Sequence, residues 1–274
     1  MTKKELCIKF LNKNEFNNEN PFLVVYKPAG LPTAPLTEYD NFNAFAQAAQ
    51  YFPQLRQVQG RQNCQRENGL LHRLDTVTSG IILIAATQEA FDSLLKSQKD
   101  GLFTKYYRAI CKNIENNSEL LGNFPQNHGM HQMLLENHKI KITSRFRPFG
   151  VKNAQVRPVT DSSGKAALQK CAKKEYTTDI SLENFSECRQ NKSLYKADCR
   201  ITEGFRHQIR VHLAWAGFPI AADPLYDSSY NEQAENKFVF EAYRITFPHP
   251  KNKQLISFSL PSLDVLYHVK NLPK

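Results

Sequence analysis

The residues best equipped for chemistry fall in two short polar runs. In LLHRLDTVTSGIILIAA, Asp75 follows His72 and Arg73 and precedes Thr76, Thr78, Ser79 and Gly80, at the mouth of an apolar run. A carboxylate at the end of a rigid element can face a cleft while its backbone stays fixed, which suits a nucleophile or a base. The same placement suits a purely structural role, with Asp75 bonding turn amides or pairing with Arg73. In GFRHQIRVHL, Arg206, His207, Gln208, Arg210 and His212 form a second concentration. Arg210 follows Ile209 and lies three residues before Leu213, so it is half-buried and needs a carboxylate or phosphate partner. A structural ion pair would meet that need equally well. His128, His131 and His138 cluster in HGMHQMLLENH, but without the glutamate of H-E-x-x-H or a nearby cysteine, so no metal site is expected. G-x-G-x-x-G, Walker and G-x-S-x-G patterns are absent, leaving nucleotide cofactors and serine hydrolysis without support.

The 274-residue chain is long enough to bury a core without disulfides or metal. Its 41% hydrophobic and 23% charged residues exclude collagen, coiled coil and wholesale disorder. Its longest strongly apolar run, Ile81 to Ala86, is far below the ~20 residues of a membrane span. No secretory signal is read at the start, and six scattered cysteines without a C-x-x-C pair suit reduced thiols, so a cytoplasmic protein is expected. Net charge is +10, and it is concentrated. From Lys139 to Lys174, ten basic residues face one acid, Asp161, with Phe146 and Phe149 among the arginines. A solvated basic face is one reading. Phosphate contact and base stacking are the preferred one, so a polyanionic partner is expected.

These residues need elements to hold them. Phe22 to Tyr26 reads as a strand running into the KPAG turn, and IILIAA as a buried strand. Asn41 to Tyr51 predicts a short helix ended before Pro53, and Gln88 to Lys99 an amphipathic one stopping near Gly101. Phe103 to Cys111, Tyr176 to Ile180 and Tyr195 to Thr202 have strand composition. Phe205 to Ala216 has helical spacing with Gly217 as its stop. Phe238 to Phe247 and Leu255 to Leu260 read as two closing strands around a turn at His249 to Lys253. Asn113 to Asn137 reads as a polar loop, and Pro148, Gly150, Pro158 and Gly164 break any long helix in the basic stretch. Strands in groups with a few helices predict an α+β fold.

With those segments in order, the chain resembles the RluA-type pseudouridine synthases. VVYKPAGLPT resembles that family's opening strand and K-P-x-G turn, and HRLDTVTSG its H-R-L-D-x-x-T-S-G signature. KYYRA resembles K-x-Y-x-A, EGFRHQIRVHLAWAGFPIAADPLYD the stretch around H-Q-I-R-x-H, and FPHPKNKQLISFSLP the closing hairpin. The resemblance runs from Val24 to Pro261. It implies a mixed, largely antiparallel sheet with flanking helices and a central RNA-binding cleft, and isomerisation of uridine to pseudouridine in ribosomal or transfer RNA. It implies no cofactor and no metal. Asp75 falls on the essential aspartate, Tyr107 on the active-site tyrosine, and Arg210 on the arginine that pairs with the aspartate. Arg73 matches a position that handles the flipped-out nucleotide.

Departures from the pattern are local. The usual G-R-T-H-Q-I-R is GFRHQIR here, with Phe205 and Arg206 at the variable positions, and Ala222 stands where glycine is usual in G-D-P-L-Y. Only 26 residues precede Lys27, so residues 1–21 are expected to be a short extension without an S4-like RNA-binding domain, and 22–274 the catalytic domain. The basic stretch, with Arg145 and Arg147, is then expected to grip RNA together with Arg73, Arg206 and His207. A monomer is expected, because no apolar stripe is left over. An RNA-binding protein of this fold without catalysis, and a nucleoside hydrolase, are the rivals. The hydrolase lacks a second carboxylate near Asp75 in sequence.

Overall fold

A computed structural model describes residues 7–35, 37, 40–61, 65–114, 124–127, 129–185, 194–230 and 238–262. Among them the elements run β1 (Lys9–Phe10), β2 (Phe22–Lys27), α1 (Ala44–Tyr51), β3 (Ser79–Ala85), α2 (Gln88–Lys99), β4 (Thr104–Lys112), α3 (Met130–Asn137), β5 (Lys139–Phe149), β6 (Gln155–Val159), α4 (Lys165–Gln169), β7 (Tyr176–Asn184), β8 (Leu194–Ile201), α5 (Gln208–Trp215), β9 (Phe240–Pro248) and β10 (Leu255–Ser259). The chain divides into two units, Met1–Lys105 with Glu241–Lys274, and Tyr106–Phe240.

The first unit is built on β2 and β3, whose continuous β-branched and aromatic runs are buried on both faces. They pair antiparallel from Phe22↔Ala85 to Lys27↔Gly80, so the turn after β2 and the loop before β3 emerge at one end of the sheet. β1 adds to β2, β9 runs parallel to β3 at Ser79↔Glu241 and Gly80↔Ala242, and β10 pairs antiparallel with β9. The side chain of Thr87 caps α2 by accepting from Ala90 N, and Phe91 and Leu94 drive that helix into the core with Phe22, Phe103 and Phe247. Asn43 caps α1 through Ala46 N, and the small alanines of that helix let it lie close.

In the second unit the strand order is β4-β8-β7-β5-β6, antiparallel wherever register is defined. Every residue of α5 is buried, and Val211 and Ala214 pack on Phe146, Val156 and Tyr226. The α+β fold with a mixed, largely antiparallel sheet is the one expected.

Two expectations are corrected, and the basic stretch, given no element from sequence, gains one. The region read as a polar loop carries α3, whose single buried residue, Leu134, leaves too weak an apolar face to show in the pattern. The basic stretch carries the eleven-residue strand β5, in which Lys139, Lys141 and Thr143 are exposed while Ile142, Ser144 and Phe146 point inward. The proline and glycine that argued against a helix there sit at a hairpin. The last helix starts at Gln208 rather than Phe205, since His207 takes a left-handed φ of 58°. In the stretch read as an extension, Asn12 is fastened into the sheet by bonds to Phe22 O and Val24 N.

Gly80, in the TSG element, has φ 128°, and a Cβ there would lie 2.4 Å from Ala242 O and 2.5 Å from Ala242 N. No L side chain fits without moving β9 from β3. Gly80→Ala is therefore expected to lower unfolding free energy by at least ~2 kcal/mol, checked by denaturant titration. Unchanged stability would contradict the close approach.

Candidate active site

Asp75 is half-buried in the loop between Leu74 and Gly80, and both of its neighbours are bonded to the loop that follows β2. Thr33 Oγ1 donates to Leu74 O at 2.8 Å and accepts from Leu74 N at 3.1 Å. Thr76 O accepts from Gly30 N at 2.7 Å and from Lys27 Nζ at 3.3 Å. Asp75 O accepts from Thr78 N at 3.0 Å, closing the turn. A single hydroxyl thus satisfies both backbone groups of the residue before Asp75, and a buried ammonium holds the residue after it. The register of β2 on β3 makes this possible by bringing both loops to the same sheet end.

Lys27 is fully buried, and its Nζ also donates to Pro28 O at 2.9 Å and Leu31 O at 2.7 Å. Burial pushes its pKa down from 10.5 to about 8, and the Asp75 carboxylate acts in the opposite sense, favouring the ammonium.

Beside this loop, His72 is buried against the Phe103 ring, and neither ring nitrogen has a hydrogen-bond partner among the described residues. Burial, with Lys105 and Arg61 adding to it, holds its pKa well below 6.5. It is a neutral packing group. Arg73 reaches solvent, its side chain 63% exposed, with Nε on Glu67 Oε1 at 3.1 Å. Glu67 is held in turn by Arg61, which also bonds Leu71 O. The root of Arg73 is fixed while part of its guanidinium remains available.

In the second unit the ring of Tyr107 is buried and stacks on Phe240 at 5.4 Å. Arg210 is buried and forms a two-pronged bond to Asp223, Nε to Oδ2 at 2.8 Å and Nη2 to Oδ1 at 2.7 Å. Its guanidinium lies 5.2 Å from the centre of the Tyr226 ring and 5.7 Å from that of Phe238. The other polar residues of the HQIRVH run mostly tie α5 down. His207 Nδ1 meets Tyr226 Oη at 2.8 Å, and Gln208 Nε2 donates to Thr177 O and Thr178 Oγ1. His212 shares bonds with Ser144 and Thr178, and burial pushes its pKa down to about 3. Arg206 donates from Nη2 to Asn153 O and to Gln155 O. On β5, Arg145 pairs with Asp161, and Arg147 lies on the Phe149 ring at 5.2 Å. Of the clustered histidines, His131 bonds Asn113, His138 ends α3, and His128 lies outside the described residues.

Comparison with known proteins now decides the family. The sequence profile of the RNA pseudouridylate synthases matches residues 21–215, which takes in HRLD, KYYRA and HQIR. The chain belongs to the RNA pseudouridylate synthase family. Its kinship is RluA-type. It is 26% identical over 266 residues to the ribosomal large subunit pseudouridine synthase D of Neisseria meningitidis serogroup B, covering 92% of this chain and 58% of that protein. It is 30% identical over 200 residues to the ribosomal large subunit pseudouridine synthase C of Haemophilus influenzae, covering 71% of this chain and 51% of that one. The chain therefore spans little more than half the length of these relatives. Human RNA pseudouridylate synthase domain containing 1 superposes with a TM-score of 0.57 at 19% identity, covering 92% of this chain and 91% of that one, which shows the shared fold.

Thr33, Lys27 and Asp223 lie within the family-like segments, yet the sequence alone assigns them no role. Lys27 reads as turn punctuation and Thr33 as an ordinary loop residue, because the Asp75 loop that each of them holds is 41 to 49 residues away. Asp223, in the ADPLYD run, was the findable one, since a half-buried arginine demands a carboxylate.

If the Asp75 anion supports the Lys27 charge, removing it has a definite sign. Asp75→Asn is expected to lower the Lys27 pKa below about 8. An NMR titration of carbon-labelled lysine checks this, and an unchanged or raised value would contradict the coupling.

Proposed function

We propose that this chain is an RNA pseudouridine synthase that isomerises one or a few uridines in structured RNA, with Asp75 as the essential carboxylate. The observation that carries the reading is the mounting of Asp75: a half-buried carboxylate whose flanking backbone is bonded on both sides, in the family's signature loop. The reaction breaks the N1–C1′ bond of uridine, turns the base, and joins C5 to C1′. A proton leaves C5 and one is gained at N1, so no redox partner or external group is consumed. An ionised carboxylate can serve as nucleophile or as proton acceptor in that sequence.

The remaining assignments follow the family motif residue by residue. Tyr107 is proposed to stack on the base, and Arg210 to support the aspartate while its own geometry is set by Asp223. Arg73 is proposed to handle the extruded nucleotide, in keeping with its exposed and anchored guanidinium. The large ribosomal subunit named in the relatives supports ribosomal RNA as substrate. The basic stretch supports an RNA grip. Arg147, Lys152, Lys165, Lys170 and Lys173 have no carboxylate within salt-bridge distance among the described residues, so their charge is free for phosphate. Arg145, Arg206 and His207 are proposed to share in that grip. No helix of the described residues is long and apolar enough to cross a membrane. A monomer in the cytoplasm is part of the proposal, the compartment being supported by the scattered cysteines.

Pseudouridine mapping of RNA with and without this gene tests the reading. One or a few sites are expected to vanish on deletion and return with the wild-type chain, but not with Asp75→Asn. Restoration by Asp75→Asn would remove the carboxylate from the mechanism. Release of free uracil would favour hydrolysis.

A further inference from the structure

The two positions at which this chain departs from the family's G-R-T-H-Q-I-R both act on the β5–β6 hairpin. Phe205 stacks on Phe146 of β5, ring centres 5.0 Å apart and planes 10° from parallel. Arg206 donates from Nη2 to Asn153 O and Gln155 O, at the hairpin's tip and at the start of β6. The substituted pair therefore joins the hairpin to the residue that opens α5.

What this joint holds is an unusual tip. Gly150, Lys152 and Asn153 all have left-handed φ values, of 78°, 50° and 58°. For the two non-glycine residues that conformation is disfavoured, because Cβ crowds the following carbonyl. The tip projects Val151, which is 83% exposed, beside exposed Lys152. Behind it Arg147 pairs across the strands with Arg157, and both guanidinium groups lie against the Phe149 ring, 5.2 Å and 4.1 Å from its centre. A plain connection needs neither an exposed branched side chain nor an anchoring arginine. A contact point fixed before its partner arrives needs both.

Resting on the RNA reading above, we propose that Val151–Lys152 is a preset contact on the RNA substrate, in which the valine packs on an unpaired base or ribose and the lysine meets a phosphate. Arg206 and Phe205 are the positioning residues that set it. RNA is chosen by shape and by unstacked nucleotides in loops, and a small apolar side chain on a basic arm fits such a nucleotide. The unneutralised charge of Arg147 and Lys152 directs the choice toward RNA rather than toward an apolar protein surface.

Steady-state kinetics of the full chain on protein-free RNA from a strain lacking the gene tests this, with thermal melting as the fold control. Val151→Ser and Lys152→Ser, both at exposed positions, are expected to raise KM for RNA about tenfold with an unchanged melt, the loss appearing in KM rather than in kcat. Arg206→Ala is expected to raise KM similarly, and Arg206→Lys, which keeps a donor for the carbonyls, to recover part of it. KM within about twofold of wild type for the tip variants would overturn the proposal. So would a defect confined to assembled ribosomal particles, since the tip would then meet protein. A wild-type chain that forms no pseudouridine would overturn the function itself and this inference with it.

Discussion

The structure of the Asp75 loop depends on one hydroxyl. Thr33 both donates to and accepts from the backbone of Leu74, which is buried, so two groups that water cannot reach are satisfied at once. Leaving a buried backbone group unpaired costs about 1–3 kcal/mol, so the loop has little freedom to drift while Thr33 is in place. Lys27 completes the hold from the other side through Thr76 O. Its burial is tolerated because three carbonyls receive its protons and a carboxylate offsets its charge. The aspartate can then be both partly solvated and rigid, a combination that a free loop would not supply.

The second unit follows the same physical logic with a different pair. Arg210 is buried, and the fork of Asp223 fixes its plane and direction. Removing either partner would strand a charge, at about 3–5 kcal/mol, so the pair defines the geometry around it more than it adds to stability. Tyr226 links this pair to the basic hairpin, since its hydroxyl meets both His207 and Val156 N. Its burial pushes its own pKa up to about 12, so it stays a neutral hydrogen-bonding group.

Much of this was legible in the sequence where pattern is local. The runs FLVVY and IILIAA announced β2 and β3, and Gln88 to Lys99 gave α2 with both ends. HRLD and HQIR marked the loop that carries Asp75 and the helix that carries Arg210. What escaped depended on distant partners or on a pattern overridden by composition. KIKITSRFRPF alternates as a strand should, yet its lysines and its proline drew attention to charge and to helix breaking. Thr33 and Lys27 carry no periodic signal, because their roles exist only once β2 lies on β3. Arg206 read as an RNA contact, and its bonds to two carbonyls show that an exposed arginine can act on its own chain first.

The central claim is that Thr33 keeps Asp75 in its working position. Thr33→Val, nearly isosteric but without the hydroxyl, tests it most directly through tritium release from RNA carrying 5-tritiated uridine. The account predicts that kcat falls at least about tenfold while KM for RNA is retained, as expected when a reacting group is misplaced rather than lost. A kcat equal to that of the wild-type chain would contradict it.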